Sequence, residues 1–543
     1  MGGAPAAGGR FSPGNSCGRF RRVVNLVTVS TREQRRALIV SCHADETRRP
    51  VARRHKIPQT LGPVFLAGQL NPALWDIRLH NELAEGPLED RALLGWPDLV
   101  VLTGLTTSLD RMRQVAAYAR TCNPRVVVVG GGHVARALPG FCRTFLDHVC
   151  LGDVEELREV VAAEYGPDYA ADETVPRYDL APWISWLGYA ESTRYCNFAC
   201  SFCTLTGEGR GFRPHPLADF RRQLEALGRR RLVALNDNNF YGSSRRSFLE
   251  RLDCLREACA AGRFDGWSAL VTGDFFARSD NLRLARDAGC VALFTGVESF
   301  DTAWTARQNK HHNGIRPQVE VIRECLEAGI VFLYGLVLDL TTRTVADIRR
   351  ELDFIVSCPE ITLPAYVSIP IPIPGTPFFF DCLDRGLILP DTKFRDLDAT
   401  TISLRPLDPL PEAAAFVRDL QAMRGYRTRA LAHSARFMAR YRRHLRGDQM
   451  LVALANAALI SAPLLASVPR NPFASRHRRT HVSSTEALDA FYEPAFPVDG
   501  RYASAFRPVM LTDAGGALAA EVADDLLTAR PARRDPLVEV GAG

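Results

Sequence analysis

The stretch RYCNFACSFCTLTG, residues 194–207, places three thiols at Cys196, Cys200 and Cys203 in C-x3-C-x2-C spacing. Three cysteines on one loop suit two kinds of metal centre. A structural zinc ion wants four closed ligands, and His215 is the candidate for the fourth. A [4Fe–4S] cluster ordinarily takes four thiolates. With three, one iron stays open to a small molecule and the site becomes catalytic. Phe202 stands immediately before the third cysteine. Zinc has no use for a ring there, whereas a bound planar base could stack on one.

Such a loop must be held by something. The run LGYAESTRY (187–195) leads into it and reads as a strand. Five further strand candidates follow: RLVALND (231–237), GWSALVTG (266–273), CVALFTGVES (290–299), GIVFLYGLVLD (329–339) and YVSIPIPIPG (366–375). Helical segments lie between them, and SSRRSFLERLDCLREACAAG and GIRPQVEVIRECLEAG each stop at glycine. Six β/α repeats over 187–400 fit a partial parallel barrel. In barrels the chemistry sits at the C-terminal ends of strands, which is where the cysteines stand.

Ahead of this block the text also alternates. ALIVSC (from 37), PDLVVLTGL (from 97), RVVVVGGGH (125–133) and HVCLGDVEE (148–156) are strand candidates, with a helical SLDRMRQVAAYARTC between the second and third. The reading is a doubly wound parallel sheet over 35–165. Residues 166–186 read as a linker, and 1–34, rich in Gly, Pro and Arg, as a disordered tail. From 401 to 543 the chain reads as helical and Arg-rich, with its most apolar run at MLVALANAALISAPLLA (450–466). That run is short for a membrane span and broken by Pro463, so a buried helix is the default. A peripheral membrane contact is the alternative, favoured by the basic, aromatic segment before it.

Bulk composition narrows the classes. In 543 residues, 46% are hydrophobic and 24% charged, as in a soluble, core-forming chain. The net charge of +6 is mild, and the cations are nearly all arginine. Without a dense basic stripe, no nucleic-acid partner is expected. The opening residues do not follow the order of an export signal. A cytoplasmic location is expected, with the 14 cysteines reduced rather than paired.

The cysteine spacing, the aromatic before the third Cys and the barrel position resemble the radical S-adenosylmethionine (SAM) superfamily. There the open iron chelates SAM, and the reduced cluster cleaves it to methionine and a 5′-deoxyadenosyl radical. The resemblance implies SAM contacts at Phe202, at Asn238 in LNDNNF, and at Glu298 and Ser299 in TGVES. It also implies an electron donor such as flavodoxin or ferredoxin. The preceding unit is similar to cobalamin-binding Rossmann-like domains. Gly130, Gly131 and Gly132 then let the backbone lie close to the dimethylbenzimidazole tail, with Thr103, Ser108 and Gly152 as further contacts. Tight packing is the ordinary alternative for those glycines. The D-x-H-x-x-G motif of many such domains is absent. His43 and His80 do not match it, so cobalt is expected to lack a protein His ligand, or else the domain no longer binds cobalamin.

Together the two cofactors imply methylation of an unactivated carbon by methylcobalamin, with no side-chain nucleophile or acid–base pair required. The domain order and the long C-terminal segment look most like hopanoid C-3 methylases, which act on a polycyclic lipid. Two rivals stand beside this reading. One is a radical SAM dehydratase with a vestigial cobalamin domain. The other is a non-catalytic zinc module on Cys196, Cys200, Cys203 and His215.

Overall fold

The computed structural model describes residues 33–43, 61–421, 425–465, 482–483 and 492–530. Most of the expected tail 1–34, the loop 44–60 after the first strand, and the end of the apolar run lie outside the described residues.

Five strands form the first sheet: β1 (Arg35–Cys42), β2 (Trp75–Asn81), β3 (Leu99–Gly104), β4 (Val127–Gly131) and β5 (His148–Cys150). Their order is β2-β1-β3-β4-β5 and every pair is parallel. The interiors of β1, β3 and β4 are almost wholly buried, as unbroken Val, Ile and Leu runs demand when helices cover both faces. β2 is an addition to the strands expected from the sequence. WDIRLHN sits at the sheet edge and alternates buried with exposed side chains at its start, so it has no unbroken apolar run. The chain passes from β1 out to β2 and returns to β3. The order therefore reverses between β1 and β3, and a crevice opens beyond the strand ends there.

The second sheet contains β6 (Leu187–Ala190), β9 (Leu232–Leu235), β10 (Trp267–Leu270), β11 (Cys290–Glu298), β12 (Val331–Val337) and β13 (Tyr366–Ser368). They lie side by side in chain order, all parallel, as an open six-stranded partial barrel. β7 (Thr193–Arg194) and β8 (Arg213–Pro214) pair antiparallel just beyond β6. The cysteine loop is thus the tip of a small hairpin planted on the first barrel strand.

The segment 166–186 is packed rather than loose. Tyr169, Tyr178, Trp183 and Ile184 are buried, and the Tyr178 hydroxyl donates to the Tyr189 carbonyl. After 400 the described chain is largely helical and serves two hosts. Helices Arg427–Tyr441 and Gly447–Leu465 pack at the N-terminal ends of the barrel strands. There Gln449 donates to the Val291 and Gly329 carbonyls, and Tyr441 to that of Glu360. Residues 492–530 return to the first sheet's helices. The buried Asp110 accepts from the Val509 amide at 2.8 Å and from the Tyr492 hydroxyl. Phe506, Val509, Leu511, Val522 and Leu526 join the core beneath β1, β3 and β4.

Candidate functional site

The hairpin is hung on one buried carboxylate. Asp237, just past β9, accepts from the Ser192 and Thr193 amides at 2.6 and 3.0 Å and from the Ser192 hydroxyl. Burial pushes its pKa up to about 6, although those donors and Arg251 pull the other way. An unfolded aspartate titrates near 3.9. Between about pH 4 and 6 the folded chain keeps a proton that the unfolded chain has lost, so stability falls as pH rises through that window. In Asp237→Asn the amide oxygen can serve both backbone donors and its nitrogen can reach Ser192. Melting temperatures should therefore shift in the variant's favour from pH 4 to 6. An unchanged difference would show that Asp237 does not titrate there.

Next to the first cysteine stands Tyr195, with φ at +62°, a region a bulky residue rarely adopts. Its hydroxyl donates to Asp153 and accepts from Arg210 at 2.8 Å. Asp153 also faces Arg213 at 2.9 Å and Arg194 at 3.5 Å. Arg194 reaches Glu155 at 2.8 Å, and Arg136 reaches Glu208 at 2.7 Å. Burial opposes ionisation of Asp153, but the Tyr195 hydroxyl and three arginines hold it below the usual range. This network ties the loop after β5 to the cysteine hairpin, so the two sheets meet at the site.

The three thiols share one electrostatic neighbourhood. Burial pushes Cys196 up to about 11 and raises Cys200 and Cys203. The other thiols raise Cys196 further, while Lys310 pulls all three down. Three neighbouring thiols, Cys200 buried and Cys196 and Cys203 half-buried, whose thiolates would repel one another, ionise together only when a cationic centre arrives, which suits a coordinated metal cluster. Among the described residues no three Cys, His, Asp or Glu side chains already converge on a metal-sized point. His215, the candidate fourth ligand, has its ring 3.2 Å from Glu191.

Other groups complete the mouth. Phe202 lies nearly parallel to Trp304 with centroids 6.5 Å apart, and Lys310 Nζ stands 5.8 Å from its centroid. Lys310 pairs with Glu298 at 3.2 Å, both side chains nearly buried. Glu298 ends β11 at φ +60°, beside a register shift. Asn239 bonds Asn197, Asn309 bonds the Ala199 carbonyl, and Gln308 and Phe378 hold the backbone of Ser201. His312 packs on Phe198 at 4.0 Å. Burial and then Lys310 push its pKa down to about 3, so the imidazole is neutral.

A cavity of about 330 Å³ lies between the sheets. One wall is apolar, from Leu61, Phe65, Val101, Val129 and Leu157. The other is polar, from Glu191, Arg194, Tyr195 and Glu208. An apolar slot at the strand ends of a doubly wound sheet fits a benzimidazole base. Thr103, Gly130, Gly131, Gly132 and Gly152 line it; Asn238 lines it too and is exposed. Gly132 has φ +100°. A side chain on Gly130 would meet Leu146 at 2.5 Å and one on Gly131 would meet Cys150 at 3.2 Å, so packing also demands those glycines.

Two candidates stand elsewhere. Ser108 is buried behind Gly104, at the head of helix Leu109–Cys122, and does not line the cavity. Ser299 turns away from the cysteines, donating to Glu351 at 2.7 Å and accepting from Arg343. The turn at Glu298 is the cause. Asp237, Lys310 and Tyr195 were not singled out from the sequence. For Lys310 a signal existed, because it is one of three lysines in an arginine-rich chain.

Comparison with known proteins agrees with this geometry. Residues 50–162 match the B12 binding domain, and residues 190–355 match the radical SAM superfamily. A hopanoid C-2 methylase of Rhodopseudomonas palustris (strain TIE-1) is 25% identical over 305 residues, covering 52% of this chain and 56% of the relative. The ribosomal protein uS12 methylthiotransferase RimO of Pelobacter propionicus is 29% identical over 106 residues, 17% of this chain and 23% of that one. The chain thus spans little more than half of the first relative's length. Among solved structures, the cobalamin-dependent SAM radical enzyme OxsB with aqua-cobalamin and SAM bound shares the fold. Its TM-score is 0.54 at 14% identity, covering 80% of each chain. The two domains bring with them a [4Fe–4S] cluster, SAM and cobalamin as cofactors. Residues 190–355 thus form a domain of the radical SAM superfamily, with a B12-binding domain, residues 50–162, ahead of it.

Proposed function

We propose that the chain is a cobalamin-dependent radical SAM methyltransferase acting on an unactivated carbon of a polycyclic lipid, within hopanoid A-ring methylation. One observation carries the reading. The cavity at the β3–β5 strand ends is walled on its other side by Arg194 and Tyr195, the two residues before Cys196. A methyl carrier in that crevice and a radical generator on the cysteine loop would face one space.

When bound, the cofactors supply one-electron chemistry and a transferable methyl group. The chain's own residues hold and enclose. Cys196, Cys200 and Cys203 would hold the cluster, with Lys310 offsetting their charge. Phe202, backed by Trp304, offers a ring face to a base. Asn238 and Glu298 offer polar groups to the amino acid and ribose portions of SAM, in that order. Thr103 and Gly130–Gly132 line the slot for the cobalamin tail.

The hopanoid substrate is supported by likeness to the C-2 methylase, whereas the domain order pointed to position C-3. Expression in a hopanoid-producing host that lacks its own methylase, followed by lipid mass spectrometry, tests both. The expected product is a singly methylated hopanoid, and comparison with authentic 2- and 3-methyl standards assigns the carbon. A chain that binds cobalt and forms 5′-deoxyadenosine yet leaves hopanoids untouched refutes the substrate. A chain that binds no cobalt refutes the methyltransferase and favours the dehydratase rival.

A further inference from the structure

The helical hairpin at the closed end of the barrel leaves apolar side chains on its outer face. Helix Gly447–Leu465 meets the barrel through the buried Ala453 and Ala457, the partly buried Met450 and Leu454, and Gln449, which binds backbone carbonyls below β11 and β12. Its other side shows Leu451, 74% exposed, and Val452, 45% exposed, and Met438 of helix Arg427–Tyr441 is 46% exposed. A surface helix ordinarily turns its large apolar side chains to the core.

Charge is concentrated on the same element. Residues 425–465 contain seven arginines and one aspartate, with no lysine or glutamate. Their net +6 equals the formal charge of the whole chain, so the rest of the molecule is balanced. Arg429 binds Asp353, Arg440 lies 3.8 Å from Glu360, and Arg446 pairs with Asp448. Arg436, Arg442 and Arg443 are exposed and have no acidic partner among the described residues.

We propose that this hairpin is a docking surface for an anionic lipid bilayer. Exposed Leu, Val and Met beside unpaired arginines match an interface in which side chains enter the acyl boundary and guanidiniums meet phosphates. Among the described residues no helix is long and apolar enough to cross a membrane, so the hairpin lies on the surface. Nucleic acid would be served by the arginines but not by the apolar face. The hairpin packs at the strand ends opposite the cysteine loop, so docking leaves the barrel mouth facing water. None of this depends on which substrate the enzyme methylates.

The test is flotation of the full-length chain with vesicles. One set is phosphatidylcholine alone; the other is phosphatidylcholine and phosphatidylglycerol in roughly equal parts. The expected result is at least about ten-fold stronger binding to the anionic vesicles, weakened by salt. Arg442→Glu/Arg443→Glu should weaken it about 25-fold or more, at about five-fold per lost arginine. Leu451→Asp should weaken it on both vesicle types. Both variants lie far from the cofactor site, and retained cobalamin binding shows that they fold. Equal binding to both vesicle types, no binding, or variants that float like the parent would overturn the proposal. So would a Leu451-dependent dimer in solution, or tighter binding to duplex DNA than to anionic vesicles.

Discussion

In Cys200→Ala, 5′-deoxyadenosine formation falls by more than about a hundred-fold and iron drops to background, while added cobalamin still binds. The magnitude follows from what the residue does. Changes one step removed from a metal commonly cost about 10–100-fold, so loss of a ligand costs more. Retained cobalamin follows from geometry, because none of Cys196, Cys200 and Cys203 lines the cavity between the sheets. The fold should also survive. Cys200 touches the hairpin through its backbone, whose carbonyl accepts from the Cys203 amide at 3.1 Å and the Thr206 hydroxyl at 2.8 Å. Anaerobic purification, iron counting and chromatographic assay of 5′-deoxyadenosine check the result. A variant that forms it as fast as the parent sinks the assignment of the loop. One zinc per parent chain, with no SAM cleavage, would restore the structural-metal reading.

The cysteine loop was legible because its chemistry is local. Three thiols in eight residues mean something in any fold, and the unbroken apolar runs of β3 and β4 declare burial on both faces. The rest depended on partners far away in sequence. In LNDNNF, an alternation carried on past the end of β9 decides which side chains enter the core. Asp237 and Asn239 are buried, while Asn236 and Asn238 face outward into the cavity. That parity cannot be read before the neighbouring strands are known. Ser299 looked equivalent to Glu298 until the positive φ of Glu298 turned the chain between them. The attachment of residues 492–530 to the first sheet was invisible for a similar reason. Val509 finds Asp110 across 399 positions, and neither sequence nor periodicity announces such a pairing.

Lys310→Met is expected to destabilise the fold by about 3–5 kcal/mol, because it leaves the Glu298 carboxylate buried without its cation. Burial alone would lower the pKa of Lys310. Glu298, 3.2 Å away, and then Cys200 outweigh it, and the pKa is raised. The amine is therefore charged at every working pH. Glu298, its side chain only 12% exposed, gains little from water. It sits at φ +60° on a register shift, and Gly296 beside it has no room for a side chain between Glu298 and Lys310. Glu298→Gln/Lys310→Met removes both charges and should recover most of the stability, since a neutral pair of similar volume is often nearly neutral overall. Activity should not follow stability. Lys310 also pulls down the three thiols and stands over Phe202, so 5′-deoxyadenosine formation stays about 10–100-fold below the parent in both variants. Urea unfolding midpoints and the same chromatographic assay, run side by side, separate the roles. If the double variant regains both stability and SAM cleavage, Lys310 only balances a buried charge. If it regains stability alone while Glu298→Gln by itself still cleaves SAM, the lysine acts on the cysteine loop itself.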